Sequence, residues 1–313
     1  MRKTFALTVL GCVGILFGIA QAVAQTPSPA APAAFAQEGE RTCLKCHNET
    51  KVIPILRTPH AVKGDPHAPF GQNGCEACHG PGGDHAALKA KSPSVVFKGP
   101  NISPVETRNQ ACLSCHQSGL RMNWRGSQHQ SSDIGCTNCH TIHVQKDPVL
   151  VKSTQPEICF TCHATQRAQS FRFSHHPIRE GKVVCSDCHN PHGSAGPTLL
   201  KEVTVNQTCY NCHAEKRGPL VREHPPVREN CLICHTPHGS TQARLLIERP
   251  PYLCQNCHDG AFHPGQPYSG QNLQGMTGAG AITTRFQMIG RACLNCHSQV
   301  HGSNSPSGLY NLR

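Results

Sequence analysis

The sequence predicts a mostly irregular chain with short α-helices and almost no sheet, laid out as an elongated array of repeats. Three observations lead there. The pattern CxxCH occurs ten times in 313 residues. Only 15 residues are Phe, Trp or Tyr, against 25 Pro and 28 Gly, and no stretch after the N-terminus keeps a helical or strand period, so side chains alone cannot supply a core. From Cys112 to Cys254 the motifs recur every 22 to 26 residues, the regularity of a stacked array.

The repeated motif carries the chemistry. CxxCH is the signature of covalent c-type haem attachment, in which two thiols bond the porphyrin and the adjacent histidine binds iron. The cysteine pairs are Cys43 and Cys46, Cys75 and Cys78, Cys112 and Cys115, Cys136 and Cys139, Cys159 and Cys162, Cys185 and Cys188, Cys209 and Cys212, Cys231 and Cys234, Cys254 and Cys257, and Cys293 and Cys296. Their histidines are His47, His79, His116, His140, His163, His189, His213, His235, His258 and His297. Ten motifs imply ten haems c, about one for every 29 residues of mature chain, and the porphyrins are expected to be the core of a multihaem cytochrome c. Disulfide scaffolds and zinc ribbons have no use for a histidine in one fixed register ten times over.

The formal charge of +11 invites a nucleic-acid reading, which the haems undercut. Removing Arg2 and Lys3 with a leader leaves 27 basic against 18 acidic residues. Ten haems add about twenty ionisable propionates, at ordinary carboxylate pKa values. Lys and Arg are then propionate partners, and no nucleic acid is expected.

Residues 1–24 read as a secretory signal: a basic Arg2-Lys3, an apolar run from Phe5 to Ala20, and the small-residue site Ala22-Val23-Ala24. A lipoprotein reading of Leu10-Gly11-Cys12 is opposed by the apolar run continuing past the cysteine. Residues 25–40 are a Pro/Ala-rich tether, and 41–313 form the haem-bearing body. Nothing in the mature chain resembles a spanning helix. Export agrees with the chemistry, since haem is joined to c-type cytochromes outside the inner membrane.

Within the body the motifs alternate. Those at Cys136, Cys185 and Cys231 are followed at once by another histidine, in CHTIH, CHNPH and CHTPH; those at Cys112, Cys159 and Cys209 carry their next one 11 to 13 residues beyond the motif histidine. The repeat is therefore a two-haem unit of about 47 residues, near 41–111, 112–158, 159–208, 209–253 and 254–313. The first has longer spacers and the last a Gly-rich insertion between Pro264 and Gly290, as terminal units of arrays do.

The sixth iron position decides function: a second strong ligand makes an electron carrier, an open one permits substrate chemistry. Of twelve histidines outside the motifs the register selects ten: His60, His129, His176, His224 and His263 after the odd motifs, and His85, His143, His192, His238 and His301 after the even ones. His67 and His175 are left over, with His175 able to exchange roles with His176. His238 lies three residues from His235, too close for opposite faces of one porphyrin, so it should serve a different haem. Met122, Met276 and Met288 are made unnecessary by the supply of histidine.

The ten-motif layout, with CEACHGP, CSDCHNPHGS, CYNCHAEKRGP and the closing RACLNCHSQVHGSNSPSG (Arg291 to Gly308), resembles the periplasmic decahaem cytochromes of the MtrA/DmsE family from about Arg41 onward. The Pro/Ala-rich leader departs from that pattern, and His67 has no counterpart role. The resemblance implies a bis-histidine electron carrier with no catalytic residues, located in the periplasm and associated with the outer membrane. Its implied partners are an outer-membrane β-barrel porin, an extracellular multihaem cytochrome, and periplasmic or inner-membrane electron-transfer cytochromes. A compact globule of this length would have a radius of gyration near 19 Å, and a bilayer with its headgroups is about 40 to 45 Å thick. A rod-like array sheathed in a large barrel would cross it, and barrels of about 26 strands exist. Electron transfer between periplasm and cell exterior, in metal reduction or iron oxidation, is thus the expected function. The alternatives are a soluble periplasmic shuttle and a multihaem oxyanion reductase. The reductase should show a motif histidine without a distal partner.

Overall fold

The computed structural model describes residues 33–258, 293–295 and 297–306. The expected signal, the first half of the tether, the Gly-rich insertion, Cys296, His263, Met276 and Met288 lie outside the described residues. The fold is mostly irregular, with short α- and 3₁₀-helices and no sheet among the described residues, where pairing is limited to four isolated bridges.

Odd and even motifs fold differently. An odd motif starts near the end of a short helix: Glu40–Leu44 holds Cys43, Val105–Leu113 holds Cys112, Gln155–Phe160 holds Cys159, Val205–Tyr210 holds Cys209, and Tyr252–Gln255 holds Cys254. The Val205–Tyr210 helix begins with a reciprocal cap, in which Thr204 Oγ1 accepts from Gln207 N and Gln207 Oε1 from Thr204 N. An even motif is itself about one turn, as in Glu76–His79, Cys136–Cys139, Cys185–Cys188, Cys231–Ile233 and Cys293–Asn295. Residues between the cysteines help to close two of these turns: Asn138 Oδ1 accepts from Gly135 N at 2.8 Å, and Asp187 Oδ2 from Val184 N at 2.9 Å.

The odd helix packs on the even turn of its own unit in Val105–Leu113 with Cys136–Cys139, Gln155–Phe160 with Cys185–Cys188, and Val205–Tyr210 with Cys231–Ile233. A buried amide on the helix fixes each junction. Asn109 Oδ1 accepts from Cys136 N at 2.8 Å, Gln155 Oε1 from Ser186 N at 3.0 Å, and Asn206 Oδ1 from Cys231 N at 2.8 Å. Successive units are joined where a glycine follows an even-type distal histidine. A Cβ on Gly193, Gly239 or Gly302 would stand 2.1 Å from Asn123 O, 2.0 Å from Gln169 O, and 2.8 Å from Arg222 O, so only glycine admits the approach.

The side-chain core is correspondingly small. Among the described residues the buried apolar side chains are Ala68, Phe70, Trp124, Phe160 and Val184, outnumbered by buried polar ones. Burial of apolar side chains normally dominates folding, so the missing share falls to the porphyrins that the cysteines attach.

Candidate haem sites

Nine motif histidines each face one histidine from outside the motifs. Ring-centre separations are 6.2 Å for His47–His85, 6.2 Å for His79–His143, 6.0 Å for His116–His60, 6.0 Å for His140–His192 and 6.2 Å for His163–His129. They are 6.0 Å for His189–His238, 6.3 Å for His213–His176, 6.1 Å for His235–His301 and 6.1 Å for His258–His224. Two imidazoles sharing a metal, each with a bond of about 2.0–2.1 Å and about 1.1 Å from nitrogen to ring centre, would stand about 6.2–6.4 Å apart. The residues therefore fit an iron between each pair. All nine distal histidines selected by register within the described residues are in these pairs.

The pairs cross between units. His79, His140, His189 and His235 each face the histidine that follows the even motif of the next unit, while His116, His163, His213 and His258 each face the histidine that follows the odd motif of the preceding one. His47 closes the end by facing His85 inside its own unit.

Hydrogen bonds orient several of these rings. His129, His176 and His224 donate Nδ1–H to the carbonyls of Pro191, Pro237 and Val300, at 2.7, 2.7 and 3.0 Å. Each acceptor immediately precedes an even-type distal histidine, so one short segment orients two histidines. The motif histidines His79, His189 and His235 donate to the carbonyls of Val95, Thr198 and Arg244, at 3.1, 3.0 and 2.9 Å. With Nδ1 carrying the proton, Nε2 keeps its lone pair for metal. Burial holds His79, His116, His143, His189, His238 and His301 below the ordinary histidine range and pushes His192 down to about 4, favouring the neutral ligating form.

His175 is different. Its Nδ1 lies 2.7 Å from Arg172 O and its Nε2 3.2 Å from Glu180 Oε1; these acceptors raise its pKa and occupy both nitrogens. The choice left open with His176 falls to His176, whose carbonyl bond is in register with those of His129 and His224. His67 is exposed beside Asp65, and Met122 is exposed too.

The thiols form a ladder. First cysteines meet within a unit: Cys43 with Cys75, Cys112 with Cys136, Cys159 with Cys185, Cys209 with Cys231, and Cys254 with Cys293 are hydrogen-bond partners. Burial is the main cause that pushes Cys75 up to about 12, whereas the bond from Cys112 lowers Cys136 to about 7. Second cysteines act on one another electrostatically between units. Burial and then the neighbouring thiol raise Cys78 beside Cys115, Cys139 beside Cys162, Cys188 beside Cys212 and Cys234 beside Cys257.

One gap also shows its missing acceptor. The buried side-chain polar atoms without a partner, among the described residues, are Arg121 Nε, Trp124 Nε1 and His192 Nδ1. The Trp124 ring is 6.3 Å from His192, and Arg121 bears on both His192 and His116. Buried donors without a protein acceptor beside His192 fit an anionic group such as a haem propionate. Sequence reading missed these donors and the amides Asn109, Gln155 and Asn206. A signal for two of the amides was present in the recurring RNQAC and VNQTC.

Short helical turns presenting CxxCH motifs, with no sheet among the described residues, define a multihaem c-type cytochrome, whose function is electron transfer. Residues 175–218 and 224–263 match the doubled CXXCH motif, and residues 75–155 match the cytochrome c-type protein NrfB-like family. Similarity to the multiheme cytochrome MtrA of Shewanella baltica is 43% identity over 276 residues, covering 88% of this chain and 81% of that one. The chain belongs to the MtrA family of multihaem cytochromes. It is also similar to the cytochrome c-type protein NrfB of Escherichia coli, 24% identical over 37% of this chain and 75% of the relative, and to NrfB of Haemophilus influenzae, 31% identical over 40% and 65%.

Proposed function

We propose that the chain binds ten haems c, each through two histidines, and passes electrons along them in sequence order between periplasmic partners and the cell exterior. The carrying observation is the nine facing histidine pairs at 6.0 to 6.3 Å. Two imidazoles per iron leave no open position, which opposes the reductase reading. His297 and His263 remain as the tenth pair, mirroring His47 and His85 at the other end.

The thiol ladder supports transfer in series. Each cysteine marks a porphyrin edge, and neighbouring thiols alternate between hydrogen-bonded first cysteines within a unit and second cysteines that feel each other's charge between units. Electron tunnelling falls steeply with distance, so an unbroken succession of neighbouring edges is what a conduit requires. No helix among the described residues is long and apolar enough to cross a membrane. Passage across the outer membrane therefore calls for a sheath, and the family relation supports a β-barrel porin, with an extracellular multihaem cytochrome beyond it and electron-transfer cytochromes on the periplasmic side.

Vesicles enclosing a redox dye, with the protein and its co-purified barrel in the bilayer, test this reading. An external reductant is expected to turn over the dye only when both are present. Recovery of the cytochrome solely as a free periplasmic monomer, with no transfer into vesicles, would leave the shuttle instead.

A further inference from the structure

We propose that Asp147 sets the reduction potential of one haem, the one between His140 and His192, making it the last to be reduced among its repeat equivalents. The inference rests on the reading that these two histidines share an iron.

The repeat supplies its own controls. After three even motifs a short 3₁₀ turn, at Pro148–Leu150, Pro197–Leu199 and Ala243–Leu245, begins eight residues beyond the motif histidine. In the last two the acceptor for Nδ1–H is a main-chain carbonyl, on Thr198 (φ 50°) and Arg244 (φ 60°), both turned into the left-handed region. In the first the turn keeps helical geometry, and the residue before it supplies the acceptor: His140 Nδ1 lies 2.6 Å from Asp147 Oδ2. Gly196 and Gln242 occupy the matching positions in the other two units. The same place in the fold thus holds a carboxylate once and a neutral carbonyl twice.

The carboxylate is built in. Its side chain is 12% exposed, and Oδ1 accepts from Thr141 N at 3.1 Å and Val149 N at 3.4 Å, which aims Oδ2 at the ring. An anionic acceptor draws the Nδ1 proton and raises electron density at Nε2, which stabilises ferric over ferrous iron. A carbonyl does this more weakly, so the haem of His140 sits below those of His189 and His235. Charged neighbours include Arg108 and Glu106, which act in opposite directions on Cys136, and Arg121 beside His192; none of them changes when position 147 is substituted.

The test is a spectroscopic redox titration of the haem-loaded Asp147→Asn protein, which keeps an acceptor and removes the charge. At the wild-type midpoint of the affected haem, the reduced-to-oxidised ratio is expected to rise about tenfold, equivalent to about 59 mV for one electron. In near-infrared magnetic circular dichroism, wild type is expected to show one ferric haem displaced toward a more strongly donating imidazole, and Asp147→Asn to return it to the main band. Titrations that superimpose at equal haem content overturn the proposal. So does a wild-type spectrum with no displaced haem, a readout that stands even if the variant fails to assemble. His192→Met separates the layers: if it changes one haem and Asp147→Asn changes none, the role of Asp147 falls, and if neither changes any haem, the shared iron falls with it.

Discussion

Replacing Gly239 by alanine should detach one axial ligand while leaving every haem attached. Gly239 follows His238, and a Cβ there would lie 2.0 Å from Gln169 O. Opening that contact to an ordinary separation of about 3.5 Å requires a shift of about 1.5 Å between the two segments. A metal–nitrogen bond tolerates about 0.2 Å. The strain thus exceeds the slack at the iron several-fold, and His238, one residue away, leaves the haem of His189. Carbon monoxide added to the reduced variant is expected to bind one haem per chain, with thioether-bound haem content unchanged. Gly126→Ala is the control, because a Cβ there meets nothing within 4 Å although its φ of 80° carries some strain. It should cost about 1 kcal/mol of stability and bind no carbon monoxide. A Gly239→Ala protein that stays inert to carbon monoxide would refute the idea that this approach holds the distal ligand in place.

Other consequences can be checked in the same preparation. Asn206→Ala removes the partner of Cys231 N and of the Val227 and Arg228 carbonyls, and is expected to destabilise the fold by about 1–3 kcal/mol in denaturant titrations without altering haem content. His176→Ala should convert one haem to a high-spin form, whereas His175→Ala should leave all haems low-spin; the reverse result would exchange their assignments. Ring planes within 30° in His47–His85, His140–His192, His189–His238, His224–His258 and His235–His301, but at 85° and 79° in His60–His116 and His129–His163, predict two classes of ferric EPR signal. A single class would contradict that geometry.

The repeated motifs were legible because the chemistry of CxxCH fixes their spacing, and the histidines that face them because they recur in register with the motifs. Which histidine faces which motif was not legible. His116 meets His60 across 56 residues and His235 meets His301 across 66, distances that depend on how units stack rather than on any local period. The choice between His175 and His176 needed the acceptors around each ring, since adjacent histidines look alike in sequence. Buried amides such as Asn109 read as ordinary helix-surface residues until the even turn is seen docking on them. Asp147 escaped notice for the opposite reason: an acidic residue before a proline looks like a turn former, and only its aim at His140 shows more. Gly193, Gly239 and Gly302 read as turn glycines, while their stricter role is to let a neighbouring unit's main chain approach.

The central claim is ten haems with two histidines on every iron. Haem quantified per chain, low-temperature EPR of the ferric protein and carbon monoxide added to the ferrous form test it together. Ten low-spin haems per chain that ignore carbon monoxide are predicted. Fewer than ten, or one high-spin haem that binds carbon monoxide in the wild-type protein, would contradict the claim and return an open, reactive iron to the array.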